Sequence, residues 1–582
     1  MIYRMIDWLH RKRFQLLSLS MVAMSLVVMA HAGVAWQAPK EAVDKKVEMV
    51  KLERVPPKTL EEAFQSIETL PEFEIELVAA EPLVVDPVAF AFDARGRLLV
   101  IEMIDYSEQD KESLGRLRRL EDTDQDGRMD RVETLAEKLS WPTALALSGN
   151  GVLVGAAPDL FWFSGSVASQ EVPTAKQGEV WATGFGRNNV QGLMNSFRWG
   201  LDQRWHATGS SSGGDIRGSL AADGLQLRLQ DFAIDTRTKK IYSVAGGGQH
   251  GMDFNPWGDK FVSSNSDHFQ QILGWQYPEW TSQLLSRPVT MRRSMAADGP
   301  QAEVFRASPV EAWRTWRTEL RVSGAVPGLV EGGGRAAGYF TGATGVVIYD
   351  GDQWPKSDTP LAFVADVGSN LIHRKRMVKQ GLWWRGERVD EKTEFARSKD
   401  IWFRPVQLGD GPDGCLYVAD MAREVIEHPA SLPPMIKSQL DLTSGRDKGR
   451  IWRIRAKNRP IRRESPRLDE MPTMDLAKLT EHPNGWHRET AARLLYERND
   501  REAVGVLREV AMHSDLPEGR VQALASLGGL GGRNRQQGCC DGSRGLASAR
   551  PSTTPISVVE KRRLVEVTAG TERWFRCDCQ GG

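Results

Sequence analysis

Cysteine is scarce in this chain, and its placement is poor for structural use. Of 5 cysteines, Cys415 stands alone in the body, while Cys539, Cys540, Cys577 and Cys579 crowd the last part. A body with one cysteine is not held by disulfides, so packing must hold it. No Cys-x-x-Cys-His occurs, which excludes a c-type haem attached to this chain. The P-loop, a dinucleotide Gly-x-Gly-x-x-Gly after a strand, His-Glu-x-x-His and Gly-x-Ser-x-Gly are missing too. Nicotinamide-linked, NTP-driven and serine-hydrolase chemistry therefore lack support. Charge of one sign is not in excess, with 76 basic against 76 acidic residues. That balance argues against a DNA or RNA partner.

Long apolar runs are confined to the start. Arg4, Arg11, Lys12 and Arg13 precede the run Phe14 to Met29, and Ala30-His31-Ala32 follows it. Basic, apolar and small-x-small regions in that order read as a secretory signal peptide, residues 1–32. The run is shorter than the roughly 20 residues that cross a bilayer. The expected location is therefore exported, periplasmic or cell-surface, with a membrane anchor only if the segment is not cleaved.

A polar linker, residues 33–70, leads into a repeating grammar of strand, tight turn and strand. Instances are FDARGRLLVIEM, LSGNGVLVGAA, FRWGLDQRWHATG, FNPWGDKFVSSN, KSDTPLAFVADVGSN and GDGPDGCLYVADM. Their turns centre near Gly96, Gly151, Gln203, Gly258, Thr359 and Gly414, at gaps of 55, 52, 55, 101 and 55 residues. A period near 50 residues with several strands per unit is the pattern of propeller blades. The chain is thus mainly β: a six-bladed β-propeller over 71–456, seven blades being the alternative, with an insertion near 286–338. Residues 470–530 switch to helical spacing, as in Ala491, Leu494 and Leu495, or Ala503, Val506, Leu507 and Val510. They read as short HEAT-like helical repeats. Residues 531–582 are rich in Gly, Arg and Ser without apolar period, and read as a disordered or aberrant tail.

Asp122-x-Asp124-x-Asp126-Gly127-Arg128-x-Asp130-x-x-Glu133 fits the Ca²⁺-loop pattern at every specified position. Carboxylates at alternate positions converge on one hard cation, the Arg128 carbonyl adds an oxygen, and Gly127 allows the sharp turn. The flanks do not make paired helices, so a loop on a β-hairpin is expected; an acidic turn without metal is the plainer alternative. His250 lies in the turn AGGGQHG, where its side chain can project as a general base toward a substrate hydroxyl. Arg187, Arg374 and Arg404 are candidates to hold an anionic cofactor through bidentate contacts. Asn188 and His268 sit in the neighbouring polar clusters GFGRNNVQGLMN and NSDHF and join them as candidate cofactor contacts.

The segments PEFEIELVAAEPLVVDPVAFAFDARGRLLVIEM, LEDTDQDGRMDR, FRPVQLGDGPDGCLYVAD and HPNGWHRETAARLLYER resemble the planctomycete-type membrane-bound dehydrogenase family. Its propeller is similar to soluble quinoprotein glucose/sorbosone dehydrogenases, and HEAT-type repeats follow it. The resemblance implies an enzyme oxidising a sugar or other alcohol/aldose with pyrroloquinoline quinone in the channel. Many relatives carry a cytochrome c module; here the electron acceptor would be a separate protein, such as a cytochrome c. Two alternatives stay open: a Ca²⁺-stabilised scaffold binding glycans or proteins, and a metal-dependent lactonase-type hydrolase.

Overall fold

The computed structural model describes residues 49–164, 172–274, 291–354 and 359–531. The expected signal peptide and the tail beyond residue 531 lie outside the described residues.

Short β-rich runs separated by turn residues form six antiparallel sheets. Their innermost strands are Pro87–Phe92, Pro142–Ser148, Asn195–Trp199, Met252–Phe254, Ala343–Ile348 and Pro405–Asp410. Each packs against the next, and the sixth returns to the first. The fold is a six-bladed β-propeller. Every turn centre read from the sequence joins the innermost strand of one blade to its second strand. The long gap holds no seventh blade among the described residues. Instead, Met291–Ser294 completes blade four by pairing with Asp267–Leu273.

Chain ends close the ring. Phe73–Ala80 pairs antiparallel with Arg450–Ala456, aligning Ile75 with Ile454 and Leu77 with Trp452. The first strand of the propeller is therefore the outermost strand of its last blade. Part of the stretch read as linker is also structured. Helix α1 (Leu60–Gln65) starts at a Thr59/Glu62 capping box, and Ile67–Thr69 pairs with Ala396–Ser398 of blade five. A capping box satisfies two otherwise orphaned backbone donors, which fixes the approach to the ring.

The inserted region also carries helix α2 (Ala312–Val322). Trp313, Trp316 and Leu320 share one helical face and pack on Val425, Leu432 and Ile436, the last in α3 (Pro434–Lys437). This apolar patch seats α2 over one end of the channel. After Ala456 come α4 (Thr473–Lys478), α5 (Gly485–Arg498), α6 (Ala503–His513) and α7 (Pro517–Gly529). Leu476, Ala491, Leu495, Leu507 and Ala523 make their common core. Asn484 caps α5 by accepting from Trp486 N, and left-handed Asn499 (φ 51°) ends it. The helices dock on the other end: His487 Nε2 donates to Pro412 O at 2.9 Å and Tyr496 Oη to Asp235 Oδ1 at 2.9 Å.

Trp452 tests ring closure, being fully buried with its indole N–H donating to Asp420 Oδ2 at 2.9 Å. Trp452→Ala should lower unfolding stability by about 3–5 kcal/mol, read as a shifted urea midpoint.

Candidate functional site

A propeller's inner strands all run the same way, so their first residues meet at one end of the channel. Val88, Thr143, Asn195, Thr344 and Val406 come from five strand starts, and His250 precedes the sixth. Together they line a pocket beneath α2. Val190, Leu193, Val367 and Met421 add apolar surface, while Tyr106, Gln191, Asn265, Arg314 and Glu427 add polar groups. A mostly apolar wall with a few placed polar groups is the usual make-up of a small-molecule site.

His250 is held firmly there. Asn195, buried at the start of blade three, donates from Nδ2 to Gln249 O at 3.0 Å and accepts from Gly251 N at 3.1 Å. The amide thus grips the backbone on both sides of His250. The ring Nε2 lies 3.1 Å from Val406 O. A carbonyl only accepts, so the ring proton sits on Nε2 and the lone pair on Nδ1. Burial lowers the imidazole pKa below its ordinary 6.5, and the Val406 contact only partly opposes this. His250 is therefore a neutral base at pH 7, and no described residue donates to Nδ1.

Opposite charges share the remaining wall. Glu427 accepts from Arg317 Nη1 at 2.7 Å. Burial pushes its carboxyl up, but Arg317 and Arg314 outweigh that and hold it below the usual range. Arg314 Nε donates to Glu311 at 3.3 Å. Tyr106 Oη accepts from Gln191 Nε2 at 3.0 Å and donates to Glu427 O at 3.3 Å. One cation, one anion and a neutral imidazole leave the pocket without net charge.

Of the residues singled out in the sequence, His250 alone lines this pocket. Arg187 lies nearby but is spent on Asp110 at 3.1 Å and Ser140 at 2.8 Å, and Asn188 faces solvent. His268 is buried outside the pocket, donating to Pro300 O at 2.7 Å and stacked 4.0 Å from Phe340. Arg374 is paired with Asp390 at 2.6 Å beside Phe73 and Phe395. Arg404 sits behind the wall, donating to the carbonyls of Val367 (2.8 Å) and Glu424 (2.6 Å). The structure therefore separates these five from His250: the three arginines are engaged where they stand, Asn188 faces solvent, and His268 keeps a buried Nε2 without a partner among the described residues. Asn195, Gln191 and Asn265 belong to polar clusters visible in the sequence. Arg314 and Glu427 carried no such signal, since α2 and the 421–428 loop place them.

A tricarboxylate such as pyrroloquinoline quinone does not fit these residues. It would bring three negative charges to a wall that offers one guanidinium, already bound to Glu311, and an ionised Glu427. Unanswered buried charge is strongly unfavourable.

The acidic loop lies elsewhere, on the hairpin between Gly115–Glu121 and Arg131–Leu139 of blade one. Oxygens of Asp122, Asp124 and Asp130 lie within 4.8 Å of one another. Gly127, at φ 94°, turns its N–H onto Asp122 Oδ2 at 2.8 Å. Asp126 accepts from Arg128 N at 2.7 Å, and Glu133 pairs with Arg119 across the hairpin. Three of the six expected metal contacts are thus gathered, and Asp126 and Glu133 are otherwise engaged.

Residues 59–458 match the family described as "Domain of unknown function (DUF7133)". No curated protein matches the sequence. Among solved structures, a Thermus thermophilus oxidoreductase (glucose dehydrogenase) is similar, at 16% identity and TM-score 0.34, over 66% of this chain and 99% of that one. A glucose dehydrogenase is similar at 12% identity and TM-score 0.35, over 65% and 99%. A Xanthomonas campestris gluconolactonase is similar at 9% identity and TM-score 0.33, over 70% and 97%. Likeness at this level carries nothing about chemistry.

The His250 clamp has a measurable consequence. In selectively labelled protein, the His250 imidazole should titrate below pH 6.5, and Asn195→Ala should move it back toward that value as the turn loosens. Because the folded-state pKa is depressed, His250 lowers stability as pH falls below 6.5.

Proposed function

The chain belongs to the DUF7133 family, whose description carries no chemistry, and we propose from the site that it binds a neutral sugar or other alcohol at the channel mouth. The observation that carries this reading is His250: a neutral imidazole with its proton fixed on Nε2 and a free lone pair on Nδ1, beside a pocket without net charge. Hydroxyl-rich neutral ligands suit such a wall, because Asn265, Thr143, Gln191 and Tyr106 supply amide and hydroxyl partners without a charge to neutralise.

His250 Nδ1 would take the proton of a bound hydroxyl. In an alcohol oxidation the C–H bond then breaks, its electron pair passes to a two-electron acceptor, and the carbonyl forms. The pocket's charge favours an uncharged acceptor, such as a neutral quinone, over a tricarboxylate one. A separate cytochrome c would drain electrons onward. The basic and apolar start of the chain supports an exported location. Among the described residues, no helix is long and apolar enough to cross a membrane.

Calorimetric titration with monosaccharides and lactones, followed by dye-reduction assays with a neutral quinone and with pyrroloquinoline quinone, tests this reading. The expected result is saturable monosaccharide binding, and quinone-dependent turnover that is level above pH 6.5 and falls below it. His250→Ala should reduce turnover by about 10²–10⁴-fold, the range for loss of a general base. Lactone hydrolysis without an acceptor would replace the oxidase reading with the hydrolase. Absence of any small-molecule binding would leave the scaffold.

Asp122, Asp124 and Asp130 support a structural Ca²⁺ site in the blade-one hairpin. Millimolar Ca²⁺ should raise the melting temperature of the wild type, and Asp122→Asn with Asp124→Asn should remove the rise. An equal rise in both proteins would place the effect elsewhere.

A further inference from the structure

The inner strands end around a second cavity, and α5 lies across it. Trp199, Phe254, Asp350 and Asp410 come from strand ends, while Trp486, Glu489 and Arg493 come from the helix. Acidic groups crowd this base. Asp253 is answered by Arg198 at 3.0 Å and by Ile348 N at 2.8 Å. Asp350 is paired with Arg488. Asp410 Oδ2 accepts from Asp350 N at 2.7 Å, but its buried Oδ1 has no partner. Arg493 is committed to Glu497 at 3.0 Å. Glu518 of α7 borders the adjoining space beside Glu489.

Glu489 itself has no hydrogen-bonding partner among the described residues. As a carboxylate it faces Asp253, Asp350 and Asp410 from the propeller and Glu518 from α7, against guanidinia already engaged. As a neutral acid it meets none of that repulsion. We propose that α5 is a proton-dependent plug, sealing the channel base while Glu489 is protonated and loosening from the propeller when Glu489 ionises. Nothing in this depends on the chemistry at the channel mouth.

Burial is the main cause that pushes the Glu489 carboxyl up to about 8, with Asp253 and Asp350 adding to it and Arg488 and Arg198 opposing. An exposed glutamate titrates near 4.3. Docked helix therefore holds a proton that undocked helix has lost throughout the intervening range. Docking is strongest at the acid end and weakens as pH rises, by up to about tenfold per pH unit. Other contacts limit the opening to the plug: Asn484 Nδ2 on Gly411 O (3.0 Å) and Arg237 on Asn499 Oδ1 (3.0 Å) do not involve Glu489.

Hydrogen exchange of the full chain, read by mass spectrometry and corrected for intrinsic rates, tests the plug. Between about pH 5.5 and 7.5, wild-type protection of residues 485–498 should fall by up to about 100-fold. Protection in blade one should hold steady. Glu489→Gln, a permanent mimic of the neutral acid, should flatten the profile of 485–498. Asp410→Asn should make the fall level off at a lower pH by removing a neighbouring acid. Wild-type protection that stays level across this window overturns the proposal, whether or not either variant folds. So does an unchanged slope in Glu489→Gln.

Discussion

The pairing of Phe73–Ala80 with Arg450–Ala456 is the constraint on which the rest depends. It makes the last blade out of both ends of the propeller, so that blade is not complete until the chain has travelled around the ring. Closure also removes two free edges, which would otherwise offer unpaired backbone groups to other chains. Buried Trp452, Ile454, Phe73 and Ile75 bring the seam together in one apolar cluster. Once the ring is shut, six inner strands point the same way, and every strand start meets at one mouth and every strand end at one base.

The two ends of the channel differ because different appendages cover them. At the mouth, α2 is seated by Trp313, Trp316 and Leu320 and brings Arg314 opposite strand-start residues. Around that mouth, the main buried charges are paired, although Asp105 Oδ1 and Arg317 Nε are left without partners among the described residues. Asp86 and Arg423 form a fully buried pair at 2.5 Å, and Arg404 is satisfied by backbone carbonyls. Such fixed networks hold the wall and leave His250 as the pocket's neutral proton acceptor. At the base, α5 supplies Glu489 to a group of acids that is incompletely answered. One channel thus has a mouth whose lining charges balance and a base crowded with acids, which suits a binding site and a conformational control respectively.

Much of the fold was legible because each blade begins with the same strand–turn–strand unit. Gly96, Gly258 and Gly414 adopt positive φ at those turns (76°, 78° and 83°), where residues with a Cβ are strained. Local chemistry therefore wrote the period into the sequence. The 286–338 region was opaque, since one short strand and one helix interrupt the period. The site was legible only in part. His250 stood out because glycines surround it, whereas Arg374 and Arg404 looked like anion contacts and are spent on Asp390 and on backbone carbonyls. Which arginine faces a channel depends on partners distant in sequence, such as Glu311 and Glu427, and no local pattern reports those.

The most direct measurement is a crystal structure of the protein soaked with a monosaccharide shown to bind in solution. The sugar should lie beneath α2, with one hydroxyl oxygen about 2.6–3.2 Å from His250 Nδ1, the reach of a general base. A sugar bound at any other place, with the channel mouth empty, would contradict this placement.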